Sequence, residues 1–377
     1  LQDAFGKILA EDIHATIDVP PFNRARYDGY AVRSSDTFRA DEENPQTLRL
    51  VGQIRAGERF RRVLHKREGI EIATGAPLPR GADAVDMIEH TVKEKNEVKI
   101  FQAVSPGDNI TFKGSDVKKG KILVENGRRI GVREIGALSA SGIKEVKIFR
   151  SPRVGVISTG SELQLPGTPL KAGKIYDVNG SVLVAAVKST GGNPKWYGIT
   201  PDDKKEITKI VRQVLRDNEV VLLSGGTSAG TGDLVPEVLN SLGRPGVLVH
   251  GVAQKPGKPT LVAVIKGKPI FGLPGYPVSA LMVFEEIVAP YIRALVNSRS
   301  KPKFVRAVLA DKYISVRGRR EFVPVRIIER EEKLAAPLLK DSGAIASLSK
   351  VSGYFVIPEN KEMLEKGETV EVKLFET

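Results

Sequence analysis

Two short loops rich in glycine and serine each follow an apolar segment of the sequence. STGSEL (158–163) overlaps the end of RVGVIS, and SGGTSAGTGD (224–233) overlaps the end of EVVLLS. Small residues let backbone N–H groups approach an anion closely, and a helix N-terminus behind such a loop adds positive potential. Because parallel strands end at one edge of a sheet, we expect the loops to lie side by side. A turn without a ligand is the alternative for each loop, and the pair together favours a phosphate site.

These loops differ from the best-known phosphate-binding sequences. The second loop has neither the lysine of a P-loop nor the spacing GxGxxG. The pattern therefore indicates neither a nucleoside triphosphatase nor a dinucleotide-dependent oxidoreductase.

Carboxylates lie beside both loops, and carboxylates with phosphate oxygens are ligands that suit Mg²⁺. They are Glu162, Asp202, Asp203 and Asp233. Helix capping explains at least one of Asp202 and Asp203, because Thr200-Pro201-Asp202-Asp203 is typical of a helix start, with Thr200 as the cap. Asp233 also suits an N-cap, whereas no helix role is evident for Glu162.

Other polar residues occur in loops stiffened by proline or crowded with charge. Lys255 and Lys258 lie in QKPGKPT, where prolines restrict the backbone and would hold the lysines in place for an oxyanion. An exposed turn is the alternative. Ser279 lies near a helix start in FGLPGYPVSALMVFE, and Thr74 opens the Pro/Gly loop TGAPLPRGADAV. Asp28 lies in a short stretch that also contains arginines.

Composition excludes several kinds of chemistry. The sequence has no cysteine, which excludes disulfides, thiolate zinc sites, Cys-ligated iron–sulfur clusters and a cysteine nucleophile. Its four histidines are isolated, so no nucleophilic triad is indicated. The 58 Lys and Arg against 45 Asp and Glu give a net charge of +13, which attracts phosphorylated substrates or nucleic acid. With one tryptophan and no aromatic-rich platform, we do not expect nucleic-acid binding.

The sequence also contains no apolar run near the ~20 residues that span a bilayer. Its first residues, LQDAFGKILAEDI, lack the apolar core of a signal peptide. We therefore expect a cytoplasmic protein without a membrane partner.

The length predicts two or three domains, and the patterns predict a multidomain α/β and β protein. Residues 1–18 are typical of a short helix end, with apolar residues spaced along one face at Phe5, Ile8 and Leu9. Residues 47–104 are typical of strands joined by turns, and 130–143 of a helix. Over 152–298 strands alternate with helices, which predicts a three-layer α/β/α arrangement around a mostly parallel sheet. After residue 298, short strands predict a small β-barrel or sandwich.

Eight segments together resemble the molybdopterin molybdenumtransferase family, which includes the E domain of gephyrin. In order they are PPFNRARYDGYAV, TGAPLPRGADAV, PGDNITFKGSDVKKG, GVISTGSEL, IYDVNG, SGGTSAGTGD, QKPGKPT and LPGYPVSALMVFE. Each is weak alone, but the ordered set is very specific and covers essentially the whole chain.

The resemblance implies a division into four domains. Residues 1–18 and 119–148 would form an extended, partly helical domain, with a β-rich domain over 19–118 inserted between them. Residues 149–298 would form the α/β molybdopterin-binding domain, and 299–377 the C-terminal β domain. It further implies an elongated homodimer, with the active cleft between the α/β domain of one subunit and the β-rich insert of the other.

The implied reaction converts adenylated molybdopterin and molybdate to molybdenum cofactor and AMP, with a divalent cation such as Mg²⁺. The choice between molybdate and tungstate stays open, since both are tetrahedral dianions of nearly equal size. A molybdopterin adenylyltransferase would supply the substrate and is an expected partner.

The resemblance also implies roles for individual residues. Glu162 and Asp233 would hold the cation, with Asp202 or Asp203 as further ligands. Lys255 and Lys258 would attract molybdate and phosphate. Phosphate or pterin would lie against Ser158, Thr159, Gly160, Gly225, Gly226, Thr227, Ser228, Pro274 and Ser279.

Three further residues would come from the other subunit's side of the cleft, where they would bind the cation or position the substrate. They are Asp28, Thr74 and Asp116.

The chain departs from the family pattern at three positions. Asn23 and Tyr27 stand where members often have an acidic residue and a methionine or small residue, and Ser161 stands where many have a second acid before Glu162. The last departure leaves the number of metal ligands open.

Alternative functions are a molybdopterin adenylyltransferase and a gephyrin-like scaffold. The β-rich insert and the C-terminal β domain argue against the first. Glu162, Asp233 and the two lysines favour catalysis over the second.

Overall fold

The computed structural model describes residues 1–227, 234–338 and 349–375 of the chain. The chain forms two compact units. The first comprises Leu1–Asp3, Glu11–Asn126 and Gly131–Val146, and the second comprises Ala4–Ala10, Gly127–Ile130 and Lys147–Thr377. Neither unit is a continuous segment of sequence, because the chain passes between them several times. The four-domain division stays a prediction.

The first unit is built mainly from strands, in agreement with the turn-rich pattern of its sequence. Its main sheet has the order β6-β3-β5-β4-β8-β7, in which β4 and β5 run parallel and the other neighbours antiparallel. The pairs β1–β10 and β2–β9 lie outside this sheet. The strands are β1 (Ile13–His14), β2 (Arg24–Ala25), β3 (Gly29–Val32), β4 (Gln46–Ile54), β5 (Glu68–Ile72), β6 (Ala84–Met87), β7 (Thr91–Glu94), β8 (Glu97–Ile100), β9 (Ile110–Thr111) and β10 (Ile122–Val124).

Helical structure in this part of the chain is short. Helix α1 (Val132–Ala140) matches the predicted helix, and the 3-10 turns are Gln2–Ala4, Ser34–Asp36 and Ile88–His90. The helix predicted within residues 1–18 is wrong beyond the first of these turns. Ile8 and Leu9 instead form isolated bridges with Arg129 and Ile148. Backbone pairing with distant segments thus replaces the local helical hydrogen bonds that the apolar spacing favoured.

Asp86 is a fully buried carboxylate on β6 and should make the first unit sensitive to pH. Burial raises the pKa of Asp86 to about 6, although His90, whose Nδ1 lies 3.7 Å from Oδ1, acts in the opposite direction. In the unfolded chain the pKa returns to about 3.9. The folded state therefore binds more protons between these values, and stability falls as the pH rises from about 4 to about 6.

The substitution Asp86→Asn should remove this loss of stability at higher pH. We expect the variant to exceed the wild type in free energy of unfolding at pH 7 by up to about 3 kcal/mol, and to match it near pH 4. Urea denaturation at the two pH values measures both differences. If the free energy of unfolding of the variant exceeds that of the wild type by the same amount at pH 4 and pH 7, Asp86 does not titrate in this range.

The second unit contains a mostly parallel sheet that has the order β14-β11-β15-β19-β18-β16. Strands β14, β11, β15 and β19 are parallel, and β18 and β16 add to the edge in antiparallel pairs. Strands β12 and β13 form a separate parallel pair. The strands are β11 (Arg153–Thr159), β12 (Leu163–Gln164), β13 (Ile175–Tyr176), β14 (Asn193–Thr200), β15 (Val220–Ser224), β16 (Pro245–His250), β17 (Gln254–Lys255), β18 (Leu261–Ile265) and β19 (Lys268–Leu273).

Helices cover both faces of this sheet, which confirms the predicted three-layer arrangement. Alternate residues of β15 point to opposite faces: Val220 and Leu222 belong to one core, and Val221 and Leu223 to the other. The helices are α2 (Asn179–Ser189), α3 (Lys204–Asp217), α4 (Val235–Leu242), α5 (Pro277–Val283) and α6 (Ala289–Leu295). Since both faces are buried, polar groups concentrate at the strand ends.

The last helical segment differs from the single helix that the sequence predicts over 278–296. A π-helical turn, Phe284–Val288, separates α5 from α6. Pro290 lies at the start of α6 and has no backbone N–H to donate. The regular hydrogen-bond pattern is therefore interrupted there, although the segment stays helical.

The remaining strands close into a small barrel, which confirms the prediction for the C-terminal region. Within the described residues, the ring of pairs runs β22-β23-β20-β26-β24 and returns to β22. Its core contains Val323, Val325, Phe355 and Val372. Strand β17 also pairs with β22 and so joins the α/β part to the barrel. The strands are β20 (Phe304–Leu309), β21 (Tyr313–Ile314), β22 (Arg320–Ile328), β23 (Leu334–Pro337), β24 (Gly353–Ile357), β25 (Met363–Leu364) and β26 (Thr369–Leu374).

None of the helices in the described ranges combines the length and the apolar character needed to cross a bilayer.

Candidate functional site

A cleft of about 720 Å³ opens where β11, β15 and β19 end. The parallel register brings Ser158 next to Ser224 and Ser224 next to Leu273, so the loops that follow these strands are neighbours. Of the phosphate- or pterin-binding residues implied by the sequence, six line this cleft. They are Thr159, Gly160, Gly225, Gly226, Thr227 and Pro274.

The predicted residues outside this lining have other positions. Ser158 is buried and donates its hydroxyl to Oδ2 of Asp177 over 2.6 Å. Ser279 is buried in α5. Ser228 and Asp233 lie outside the described residues.

The floor of the cleft depends on two glycines with backbone conformations that other residues rarely adopt. Gly225 has φ +100° and Gly226 has φ +60°. A Cβ atom on Gly225 would come within 2.2 Å of the Thr159 carbonyl oxygen. The close approach of these two loops therefore requires glycine at position 225.

Two residues that the sequence analysis did not single out also line the cleft and connect its loops. Asp177 is buried and also accepts a hydrogen bond from the Gly180 N–H over 3.1 Å. Asn179 donates from Nδ2 to Ser224 Oγ over 2.7 Å and to the Gly275 carbonyl over 2.8 Å. Both residues lie in IYDVNG, Asp177 just before the apolar helix α2 and Asn179 at its first position, and polar residues at the start of an apolar helix were the available signal.

The rim of the cleft carries two of the predicted carboxylates, Glu162 and Asp202. Glu162 is exposed, and its backbone carbonyl accepts a hydrogen bond from Ile175. Asp202 and Ser161 form two reciprocal hydrogen bonds. The Ser161 N–H donates to Asp202 Oδ2 over 3.1 Å, and the Asp202 N–H donates to Ser161 Oγ over 3.2 Å. Ser161 thus holds Asp202 beside the STGSEL loop.

Asp203 has a structural role instead of a position in the cleft. Its Oδ1 accepts hydrogen bonds from the N–H groups of Lys205 and Glu206 over 2.9 and 3.0 Å, so Asp203 is the N-cap of α3. The prediction that Thr200 caps this helix is wrong, because Thr200 ends β14 and pairs with Thr159. Strand pairing extends through Thr200 and moves the helix start three residues on.

The described residues contain no group of three His, Asp or Glu side chains placed to bind a metal ion. Mg²⁺ commonly takes one or two carboxylates and completes its shell with water and substrate phosphates. Glu162 and Asp202, which line the same cleft as the glycine-rich loop, fit that mode of binding. They do not fit a cation held by protein ligands alone.

Lys255 is held by the C-terminal barrel. Its Nζ lies 2.9 Å from Oε1 of Glu321, a carboxylate that is only 3% exposed. Glu321 also accepts hydrogen bonds from the hydroxyls of Tyr313 and Ser315 over 2.8 and 2.6 Å. Burial and the hydrogen bond to Glu321 raise the pKa of Tyr313. Lys258 is exposed, and the adjacent Pro259 lines the cleft.

The substitution Glu321→Gln tests this network. We expect it to lower the free energy of unfolding by about 2 kcal/mol, because hydrogen bonds to a buried charged group are lost. Urea denaturation measures the change. Glu362→Gln is the control, since Glu362 forms an exposed pair with Arg317 and should contribute less than about 0.5 kcal/mol. Equal effects of the two substitutions would contradict the network.

In the first unit, the structure brings together two of the three residues assigned to the other side of the cleft. Asp28 Oδ1 accepts hydrogen bonds from Thr74, over 2.6 Å from the backbone N–H and 2.9 Å from the hydroxyl. These bonds lower the pKa of Asp28. Asp116 is exposed, and its N–H donates to the Val19 carbonyl over 3.1 Å.

Family models match three segments of the chain. Residues 1–142 match the MoeA N-terminal region (domain I and II), residues 155–294 match a probable molybdopterin binding domain, and residues 306–375 match the MoeA C-terminal region (domain IV). The segments follow one another in order and together span most of the chain.

Full-length relatives agree with these matches. A putative molybdopterin biosynthesis protein from Methanocaldococcus jannaschii is 38% identical, with 99% of this chain and 90% of that protein covered. The molybdopterin molybdenumtransferase of Bacillus subtilis is 34% identical, with 99% and 88% covered.

Solved structures show the same fold. Two crystal structures of molybdopterin biosynthesis MoeA proteins from Pyrococcus horikoshii match with TM-scores of 0.83 and 0.78, at 34% and 44% identity. Each match covers 99% of this chain, and 93% and 92% of the respective solved chains. The resemblance seen in the sequence is confirmed, and the chain belongs to the MoeA family of molybdenum cofactor biosynthesis proteins.

Proposed function

We propose that this protein inserts molybdenum, or tungsten, from its oxyanion into adenylated molybdopterin and releases AMP. The observation that carries the proposal is one cleft that is lined both by Gly225, Gly226 and Thr227 and by the carboxylates Glu162 and Asp202. Such a loop suits the phosphates of an adenylated substrate, and the carboxylates suit a cation bound to those phosphates. Relatives named molybdopterin molybdenumtransferase support the assignment.

In the proposed reaction, some residues of the cleft bind the substrate and others hold the groups that neutralise its charge. Backbone N–H groups of the glycine-rich loop bind phosphate oxygens. Glu162 and Asp202 hold Mg²⁺, together with Asp233 from outside the described residues. When bound, the cation neutralises charge that develops as the phosphoanhydride bond breaks. Lys255 and Lys258 attract the oxyanion, and the buried Glu321 restricts the position of Lys255.

The proposal extends to a homodimer in the cytoplasm. Asp28, Thr74 and Asp116 of one copy would complete the cleft of the other. The hydrogen bonds from Thr74 orient Asp28 for that purpose. An adenylyltransferase would deliver the substrate.

Direct assay of the reaction tests the proposal. The purified protein is incubated with adenylated molybdopterin and molybdate, with Mg²⁺ or with EDTA, and AMP and active cofactor are measured. We expect both products with Mg²⁺ and a large loss with EDTA. Parallel reactions with tungstate determine which oxyanion is preferred.

A second incubation, with ATP and molybdopterin, separates the alternative enzyme activity. Formation of adenylated molybdopterin there, without AMP release in the first assay, would assign an adenylyltransferase and overturn the proposal. Failure of both reactions would favour a scaffold.

A further inference from the structure

Tyr276 presents an aromatic ring at the edge of the cleft. The residue is 63% exposed, yet it belongs to the cleft lining. The other tyrosine of the cleft, Tyr176, donates its hydroxyl to the Thr168 carbonyl over 2.8 Å. A single exposed aromatic residue is ordinary on a protein surface. Its position beside the glycine-rich loop and its rigid support distinguish Tyr276.

The backbone around Tyr276 is held in place from several sides. Tyr276 is the N-cap of α5, with φ −70° and ψ 126°, and prolines lie at positions 274 and 277. The Tyr276 carbonyl accepts a hydrogen bond from the Ala280 N–H over 2.9 Å. Asn179 anchors the preceding residue through its hydrogen bond to the Gly275 carbonyl. Little backbone entropy would therefore be lost when a ligand contacts this ring.

The same support brings Tyr276 close to the glycine-rich loop. A Cβ atom on Gly275 would lie 4.0 Å from the Cα of Gly225, so the two loops are in contact. Asn179 also binds Ser224, the residue before Gly225. A ligand whose phosphate lies on the Gly225 loop would therefore have the Tyr276 side chain within the same cleft.

We propose that Tyr276 stacks against the flat heteroaromatic ring of the phosphate-bearing substrate. This inference rests on the proposed function and names a further binding residue for it. Adenylated molybdopterin has two such rings, adenine and pterin, and stacking on tyrosine suits either one because both have a π-face. The shared requirement is a flat ring joined to a phosphate.

Binding measurements with separate pieces of the substrate test the inference. Calorimetric titrations use AMP, neopterin phosphate and ribose 5-phosphate, the last of which has a phosphate but no aromatic ring. Each is measured on wild type, Tyr276→Phe and Tyr276→Leu. The phenylalanine variant keeps the ring, whereas the leucine variant keeps apolar bulk without a π-face.

We expect Tyr276→Leu to weaken one of the ring ligands by roughly 10- to 100-fold. Tyr276→Phe should stay within about twofold of the wild type, because the ring persists. Ribose 5-phosphate should bind all three proteins equally. The ligand that loses affinity identifies the stacked ring as adenine or pterin.

Two results would overturn the inference alone. In one, the wild type binds AMP, neopterin phosphate or both, and Tyr276→Leu binds the same ligands with unchanged affinity. In the other, Tyr276→Phe loses as much affinity as Tyr276→Leu, which would assign the effect to the hydroxyl. A wild type that binds none of the three ligands would overturn the proposed function, and the inference with it.

Discussion

Gly225→Ala is expected to lower the free energy of unfolding of the α/β part by about 3–5 kcal/mol, through backbone strain and overpacking together. The new Cβ would lie 2.2 Å from the Thr159 carbonyl oxygen and 2.8 Å from Thr159 Oγ1. Because the nearest atom belongs to the backbone of a central strand, it cannot rotate away. The φ of +100° adds strain for any residue with a side chain.

Urea denaturation followed by tryptophan fluorescence measures the free energy of unfolding of the α/β part. Trp196 is the one tryptophan of the sequence and lies on β14, at the edge of the same sheet.

Gly275→Ala is the matched control, since its Cβ would meet nothing closer than 4.0 Å and its φ is ordinary. We expect a change below about 1 kcal/mol for the control. Similar losses in the free energy of unfolding for Gly225→Ala and Gly275→Ala would contradict the close approach of Gly225 to Thr159.

Glu162→Gln is expected to reduce molybdenum insertion on the order of 100-fold or more. The substitution would weaken binding of the cation that neutralises charge at the phosphoanhydride in the proposed reaction. Folding should change little, since Glu162 is exposed at the rim of the cleft. The Mg²⁺ concentration for half-maximal AMP release should also rise. Steady-state AMP release measured across a Mg²⁺ series gives both quantities.

Asp203→Asn is the control, because it removes the same charge at the residue that follows Asp202 in the sequence. Asparagine caps helices about as well as aspartate, so α3 should remain intact. Because Asp203 Oδ1 is used by the N–H groups of Lys205 and Glu206, we expect nearly wild-type activity. Full activity and an unchanged Mg²⁺ dependence in Glu162→Gln would exclude Glu162 from the cation site.

Local patterns in the sequence predicted most of the fold. The apolar runs of β11 and β15 predicted a sheet buried on both faces, and the glycine-rich segments after them predicted neighbouring loops at its edge. In α3 the buried residues Ile207, Val211 and Val214 follow the helical repeat. These predictions succeed because they depend on residues only a few positions apart.

The roles of single polar residues were harder to predict. Asp202 and Asp203 are adjacent and chemically identical, yet one lines the cleft and the other caps a helix. The difference depends on where β14 ends, which its pairing with β11 decides. Asn179 was missed because its partners, Ser224 and Gly275, are 45 and 96 residues away.

For this protein, residue order alone was sufficient for the layered sheet and for a C-terminal β domain, whereas the closure of that domain into a barrel was visible only in the folded chain. Contacts between distant segments decided which side chains serve the cleft and which stabilise the fold. Lys255 shows the difference: its charge is evident in the sequence, but its partner Glu321 lies on a strand of the barrel. A hydrogen bond or ion pair requires atoms about 3 Å apart, and only the folded chain brings such remote atoms to that distance.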